Sequence, residues 1–528
     1  MVSAFGSQRS RHLAGQQFCT SVLYFFRSVS TIAGAMQMSQ RWQMDQLLNP
    51  YTVHIWGFGH LRQEANRVPG QPACEPQMGA KVSRSPETHD VLIIGAGIAG
   101  LSAAYALKHR GIEPIVIEAS NAPGGRMKTW RIGSQSIDTG AQFLSTGYEK
   151  LLGIAQEHGI HVASVPKSRT GYVVERDLKI VKPSSILSIA GSGLLNVRDV
   201  LLFGTEMMKD GKSLRGGALS NFEAWVGLDT ISVRGWLEQI NLSGVNERLM
   251  APLLDGLYFF DTGKTSKALA YLVSAFSWRR HKLLAPVGGM AELPKAIAAR
   301  LDVHYDLPVL EISDRQDSVL VRTAGGEFQA HHVICTTPAP TAKRLWRTAP
   351  QIERELMESN YSSTIVVAIL TNNSYLPPKS IRDVYGILFA SAPKSQIAAI
   401  ALEHNKSRGT DQSSAFVIML RDSAARTLMD ADDDTILRAI REETELILGD
   451  VWRSAMSIQC TRWPNAMPQI PVGHALRVTA YRNSLQRHPR IILAGDFLGA
   501  PFTESACDSG LWAAAQIPSP SNMPVSTV

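Results

Sequence analysis

From Asp90 onward the chain alternates short unbroken apolar runs with stretches of helical periodicity, separated by turn residues. Val91, Leu92, Ile93 and Ile94 form one such run, which predicts a strand buried on both faces of a parallel sheet. A helix is predicted over 101–110, with the small residues Ala103, Ala104 and Ala106 against that sheet and Gly111 as its C-cap. A second strand follows over 115–117. Further on, the pattern predicts a strand over 129–132, a helix over 151–158 and a hairpin of 172–174 with 179–181. Residues 184–276 change character: Val233, Trp236, Leu237 and Ile240, then Leu249, Leu253, Leu254 and Leu257, recur near 3.6 spacing and predict helices. Their aromatic neighbours Tyr258, Phe259 and Phe260 read as core, as does Trp236.

The third quarter is strand-rich. A helix running to Leu301 is followed by predicted short strands at 303–305, 309–312, 319–322 and 328–330 around the Gly325-Gly326 turn, and by strands at 363–370 and 416–420. Residues 432–448 are predicted to form an amphipathic helix whose Asp432-Asp433-Asp434 start suits the positive dipole end, so that triplet reads as capping and solvated surface rather than metal ligands. A last buried strand is predicted at 491–493, and Ser505-Ala506-Cys507-Asp508 has the S-x-x-D spacing of a capping box opening a helix through Ala515.

Candidate chemistry enters at the first turn. Gly95, Ala96, Gly97, Ile98, Ala99 and Gly100 give GxGxxG spacing between a strand and a helix. The first glycine permits the tight turn, the second admits a pyrophosphate to the backbone, and the third lets helix and strand pack closely. The helix end points N–H groups at the phosphates. Glu118, followed by Ala119, closes the second strand 23 residues after Gly95, where a carboxylate accepts hydrogen bonds from an adenosine ribose. Strand, turn, helix, strand and acid occur in order, which points to a dinucleotide. NAD and FAD both remain open at this stage.

Composition narrows the remaining classes. The 528 residues allow two or three domains, and 45% hydrophobic with 19% charged residues is ordinary for a globular protein. The net charge of +7 is misleading, because residues 1–89 hold eight Lys/Arg against four Asp/Glu. What remains is too diffuse to argue for nucleic acid. Cys19, Cys74, Cys335, Cys460 and Cys507 lack CxxC spacing, which argues against a disulfide framework or zinc site. No apolar stretch is long enough to span a bilayer. Residues 186–203 are the most apolar, interrupted by Asn196, Arg198 and Asp199; a buried or substrate-cavity helix is the favoured reading, with peripheral membrane contact the alternative. Residues 1–44 are basic until Asp45 supplies the first acid, which fits a transit peptide and equally an unstructured extension. Residues 45–88, with Pro69, Pro72, Pro76 and Pro86, read as linker.

Gly124-Gly125-Arg126, just past the ribose acid, resembles the flavin-containing amine oxidase superfamily, and the resemblance extends over about 89–517. It implies FAD rather than NAD, with Gly125 and Arg126 at the phosphate and ribityl groups, Gly140, Ala141, Gln142 and Phe143 beside the flavin ring, and the backbone of Val309 at the adenine. It implies an α/β fold: a Rossmann-like FAD-binding domain of the glutathione-reductase-like kind, a mixed-sheet substrate domain and an inserted helical cap. The expected organisation is a leader and linker (1–88), FAD-binding parts at 89–183, 286–345 and 471–517, the cap at 184–285, the substrate domain at 346–470 and a tail at 518–528.

A second half-site lies near the C-terminus. Gly495-Asp496 follows the strand at 491–493, at the carboxyl end where ligands bind in open α/β sheets. Asp496 suits a ribityl hydroxyl, and the helix end at Ala506 suits the negative charge of a reduced flavin. Arg462-Trp463-Pro464, Ala466-Met467-Pro468-Gln469 and Gly473-His474 resemble the protoporphyrinogen and coproporphyrinogen oxidases of that superfamily. Trp463 and His474 are the candidates for substrate contact; the latter could act as a base, with a satisfied structural histidine the favoured reading. Three departures count. No cysteine lies between Cys460 and Cys507, so the FAD is expected to be non-covalent; the 363–370 strand carries no lysine, which argues against an amine; and no arginine just after Phe143 awaits a propionate. The implied activity is hydride transfer from a small organic molecule to FAD, most like a porphyrinogen oxidase. An amine oxidase or desaturase-like enzyme, or a flavin-binding protein without turnover, is the alternative.

Overall fold

The computed structural model describes residues 88–519, apart from 168, 184, 211–221, 279–280, 391–394, 407–412 and 486–488. The leader at 1–44 and nearly all of the linker lie outside the described residues. The first strand, β1 (Thr88–Ile94), leads into α1 (Ile98–Lys108) and then β2 (Ile115–Ile117). Val91, Leu92 and Ile93 are fully buried, as an apolar run in the middle of a parallel sheet requires. On one side β1 pairs in parallel with β2, and on the other with β3 (Gly326–Cys335). β3 is one ten-residue strand, longer than the three residues expected from 328–330, because its first half closes an antiparallel hairpin while its second half enters the parallel sheet.

The rest of the chain builds a second layer. A seven-stranded sheet contains β4 (Tyr361–Thr371), every residue of which is buried, and β5 (Ala455–Pro468), its antiparallel neighbour at the sheet edge. The predicted hairpin at 172–181 sits at the other end of that sheet. β6 (Ile491–Leu493) then returns to the first sheet, parallel to β3 in register Val333 with Ile491, so the first sheet also has seven strands. The last helix, α2 (Thr503–Ala515), lies against α1. A Cβ on Gly510 would stand 2.0 Å from the Ala99 carbonyl oxygen, so the two helices meet backbone to backbone. Arg110 adds a clamp by donating to the carbonyls of Ala514 and Ile517 at the end of α2, the latter at 2.7 Å.

Between these returns lie the predicted helices, including Ile186–Gly191, Val197–Asp210, Val233–Gln239, Ala251–Tyr258 and Lys267–Trp278. Trp236, Tyr258, Phe259 and Phe260 are all buried, as read from the sequence. The buried-helix reading of 186–203 needs correction. Leu194, Leu195 and Val200 pack inward, but Leu187, Val197, Leu201 and Leu202 are exposed because the helix here is amphipathic rather than enclosed. No helix among the described residues is long and apolar enough to cross a membrane. The aspartate triplet acts as expected: Asp432 accepts the Thr435 N–H at 2.7 Å and caps the helix Asp433–Leu448, while Asp433 pairs with Arg462 at 2.8 Å.

Candidate active site

The glycine turn is built from both sides. Gly95 has φ +104°, and its N–H donates to the Ile117 carbonyl at 2.8 Å. The Thr336 hydroxyl, at the end of β3, donates to the carbonyls of Ile94 and Gly95 at 2.8 and 3.1 Å. A Cβ on Gly100 would fall 1.9 Å from the Gly95 oxygen, so this glycine is demanded by packing. Gly97 differs. It has an ordinary φ of −70°, and a Cβ there would meet nothing within 4 Å. Gly97 immediately precedes α1, whose first N–H groups have no partner inside the helix. Gly124 and Gly125 lie beside this turn: the Gly124 N–H donates to the Ala96 carbonyl at 2.8 Å, and a Cβ on Gly125 would lie 3.7 Å from the Gly97 Cα.

Glu118 ends β2 beside the turn. Its carboxylate accepts the Ala96 N–H at 2.7 Å and the Ser120 hydroxyl at 2.7 Å, and its carbonyl accepts Leu307 N–H at 2.9 Å. The last contact draws the start of the strand Val309–Asp314, with Val309, to the same edge as Glu118 and Ala119.

From there the site runs toward the C-terminal half. Arg126 donates to the Asp496 carboxylate at 2.6 Å and to the Ala466 carbonyl at 2.9 Å. Tyr361, first residue of β4, donates to the other Asp496 oxygen at 3.1 Å, and the Arg126 guanidinium lies 5.7 Å from its ring centre. Burial and the adjacent Asp496 both push the Tyr361 phenol far above its ordinary pKa, so it stays a donor. Residues 370 positions apart in the chain thus meet in one charge-assisted bond. The Ala141 N–H donates to the Arg126 carbonyl at 2.9 Å, which lays Gly140 through Phe143 beside the same junction. Trp463, on β5, donates its indole N–H to the Thr139 carbonyl at 2.7 Å, so this predicted contact residue borders that segment.

Three buried polar atoms around this junction find no partner in the protein: Thr139 Oγ1, Gln142 Oε1 and Ser505 Oγ. Buried polar groups are rarely left unsatisfied, and together with the void at Gly97 they fit a long polar ligand such as a dinucleotide.

One predicted position is revised, and the burial of a second favours its structural reading. The helix α2 begins at Thr503, not at a Ser505 cap, and the Ala506 N–H already donates to Phe502 at 3.1 Å. The free amides are therefore those of Thr503 to Ser505, and Ala506 itself offers none. The S-x-x-D box fails because Asp508 pairs with Lys150, while Glu504 accepts the Lys150 and Leu151 N–H groups at 2.9 Å and caps the helix Glu149–Glu157. His474 is fully buried at the start of the helix His474–Ser484, with its ring bonded to the Phe497 backbone. Burial lowers its pKa from 6.5 to about 3, so it packs as a neutral ring rather than facing a substrate.

The sign of that shift gives a stability prediction. A depressed folded-state pKa contributes stability that is complete above pH 6.5 and lost as pH falls from 6.5 toward about 3, on the order of 4 kcal/mol over the window. Chemical denaturation across that range should show the loss, and His474→Gln should flatten the slope; equal slopes for the two proteins would refute it.

A cluster the sequence did not announce lies beside the same segment. Lys406 donates to Asp138 at 2.7 Å and to Glu403 at 2.8 Å, with all three residues buried. Burial alone would lower the Lys406 pKa, but the two carboxylates hold it above its ordinary value. Tyr361 was missed for the same reason, since neither contact leaves a local sequence signal.

The glycine-turned helix end, the acid beside it and the unsatisfied polar groups near the Arg126–Asp496 junction are those of a dinucleotide-binding protein. The chain belongs to the flavin-containing amine oxidoreductases, whose family description matches residues 98–518. FAD is accordingly its cofactor. It is 26% identical over 297 residues to the L-amino acid oxidase bordonein-L of Crotalus durissus terrificus, a match covering 51% of this chain and 54% of that enzyme. The chain thus spans about half the length of that relative. It is 22% identical over 451 residues to the coproporphyrinogen III oxidase of Staphylococcus aureus, covering 77% of this chain and 94% of that one. Among solved structures, putrescine oxidase bound to putrescine superposes with a TM-score of 0.65 at 19% identity, covering 82% of this chain and 99% of that one.

Proposed function

We propose that the protein is an FAD-dependent oxidoreductase that oxidises a small organic molecule, with a porphyrinogen-like substrate. The observation that carries the cofactor reading is the Arg126–Asp496 bond, which joins the two half-sites at 2.6 Å. In this reading Glu118 holds the adenosine ribose, the void at Gly97 takes the pyrophosphate, Val309 borders the adenine, and Arg126 with Asp496 holds the ribityl region. The FAD is non-covalent.

FAD, when bound, supplies the two-electron acceptor. The chain's own residues bind, orient and exclude water. Trp463 and the 139–142 backbone border the substrate side, and the free amides at the start of α2 favour negative charge on a reduced flavin. In this reading the region 184–285 is the cap, carried by the helices Val197–Asp210, Val233–Gln239, Ala251–Tyr258 and Lys267–Trp278, with 286–345 and 471–517 completing the FAD-binding part begun at 89–183. Residues 346–470 form the substrate domain, whose sheet the hairpin at 172–181 completes.

Two observations support a porphyrinogen over an amine. The match to a coproporphyrinogen III oxidase extends over nearly all of that enzyme, and β4, fully buried and apolar at its centre, carries no lysine. Anaerobic mixing of the purified protein with coproporphyrinogen, protoporphyrinogen and a panel of amines tests this. Bleaching of the flavin by a porphyrinogen alone is expected; bleaching by amines alone would overturn the substrate assignment and leave the cofactor reading intact.

A further inference from the structure

The Lys406 cluster has more structure than a simple ion pair. Asp138 ends the strand Gln135–Asp138 and immediately precedes the 139–142 segment. Its Oδ1 accepts the Thr129 hydroxyl at 2.6 Å and the Met290 N–H at 2.8 Å, while Oδ2 accepts Lys406. Glu403 receives Lys406, the Tyr385 hydroxyl at 3.3 Å and the Asp138 N–H at 3.3 Å. Burial raises the Glu403 pKa and Lys406 opposes that shift, while three donors and no acceptor are the pattern of an ionised carboxylate. One lysine between two carboxylates leaves one negative charge in excess, in a region where all four side chains are buried. The Tyr385 ring meets Phe143 edge-on, with centroids 6.5 Å apart. Lys406, Glu403 and Tyr385 belong to the second sheet and its connections, whereas Asp138 belongs to the segment pinned to Arg126.

The direction of the cofactor follows from the site. With the ribose at Glu118 and the pyrophosphate at Gly97, the other end must extend past Arg126 and Asp496, toward residues 139–142. We propose that the Asp138–Lys406–Glu403 cluster fixes this segment and places a net negative charge beside the flavin end of the cofactor, holding its reduction potential down. Adding electrons to a flavin adds negative charge, and a fixed negative charge in a poorly screened interior opposes that. The inference rests on the FAD reading above. These are positioning residues, since none of them is assigned a contact with the reacting atoms.

The test is the midpoint potential of the flavin in the purified full-chain holoprotein. Glu403→Gln keeps the side-chain shape and removes the excess charge, so the potential should rise. The double variant Glu403→Gln with Lys406→Met restores the wild-type net charge and should return toward the wild-type value. Tyr385→Phe keeps the charge but removes one donor from the carboxylate, so it should move the potential down; it also serves where Glu403→Gln does not fold. A yellow, folded Glu403→Gln protein with the wild-type potential overturns the proposal. So does a double variant shifted as far as the single one, because packing rather than charge would then explain the change. Where only Tyr385→Phe folds, an unchanged potential overturns it. A wild-type protein that holds no flavin would instead fail the FAD reading.

Discussion

Gly97→Ala should yield a protein that folds like the wild type and binds FAD markedly more weakly. The backbone at Gly97 is of a kind any residue adopts, and the added methyl would meet no protein atom within 4 Å. Stability of the apoprotein should therefore move little. The same methyl, however, occupies the space where a pyrophosphate must approach the N–H groups at the start of α1. A loss of FAD affinity of at least ~10-fold is expected, equivalent to about 1.4 kcal/mol. Flavin fluorescence released from equal amounts of the two proteins, beside their thermal unfolding curves, reads both effects. Wild-type flavin content in the variant would remove the pyrophosphate from this cradle.

Gly510→Ala should fail in the opposite way, through the fold. A methyl at this position stands 2.0 Å from the Ala99 oxygen and 3.2 Å from the Ala103 nitrogen, both backbone atoms within α1. Neither can swing aside as a flexible side-chain end would, so α1 and α2 must separate. The cost is about 3 kcal/mol or more, at the upper end of what overpacking brings. Because α1 also carries the phosphate-binding end, flavin should be lost together with stability. Gly153→Ala is the matched comparison, since a Cβ there meets nothing within 4 Å and the residue lies inside the helix Glu149–Glu157. That change should be neutral or stabilising by up to ~1 kcal/mol. Equal unfolding temperatures for the two variants would show that the helices do not meet as described.

These two glycines also mark what a sequence reveals. Gly95, Gly97 and Gly100 were legible because their constraint is local: a strand, a turn and a helix within a dozen residues leave little choice of geometry. Glu118, Trp463 and Asp496 stand out through motif and order, and in the fold they lie against Ala96, Thr139 and Arg126 respectively. The start of α2 was misread because capping spacing says nothing about competition. Asp508 was already taken by Lys150, and Glu504 by another helix. For His474 spacing leaves substrate contact and a structural role both open, and its complete burial favours the structural one. The exposed face of 186–203 was misassigned because apolar content alone does not separate an enclosed helix from an amphipathic one. Lys406 and Tyr361 were invisible, because their partners Asp138 and Asp496 lie 268 and 135 positions away and only the completed fold brings them together.

The most direct test of the central claim is a crystal structure of the purified holoprotein. It should show one FAD in a single elongated slot, with its ribose at Glu118, its pyrophosphate over Gly97 and its flavin end beyond the Arg126–Asp496 pair. A folded protein whose flavin lies away from either half-site, or whose Arg126 and Asp496 are far apart, would contradict it.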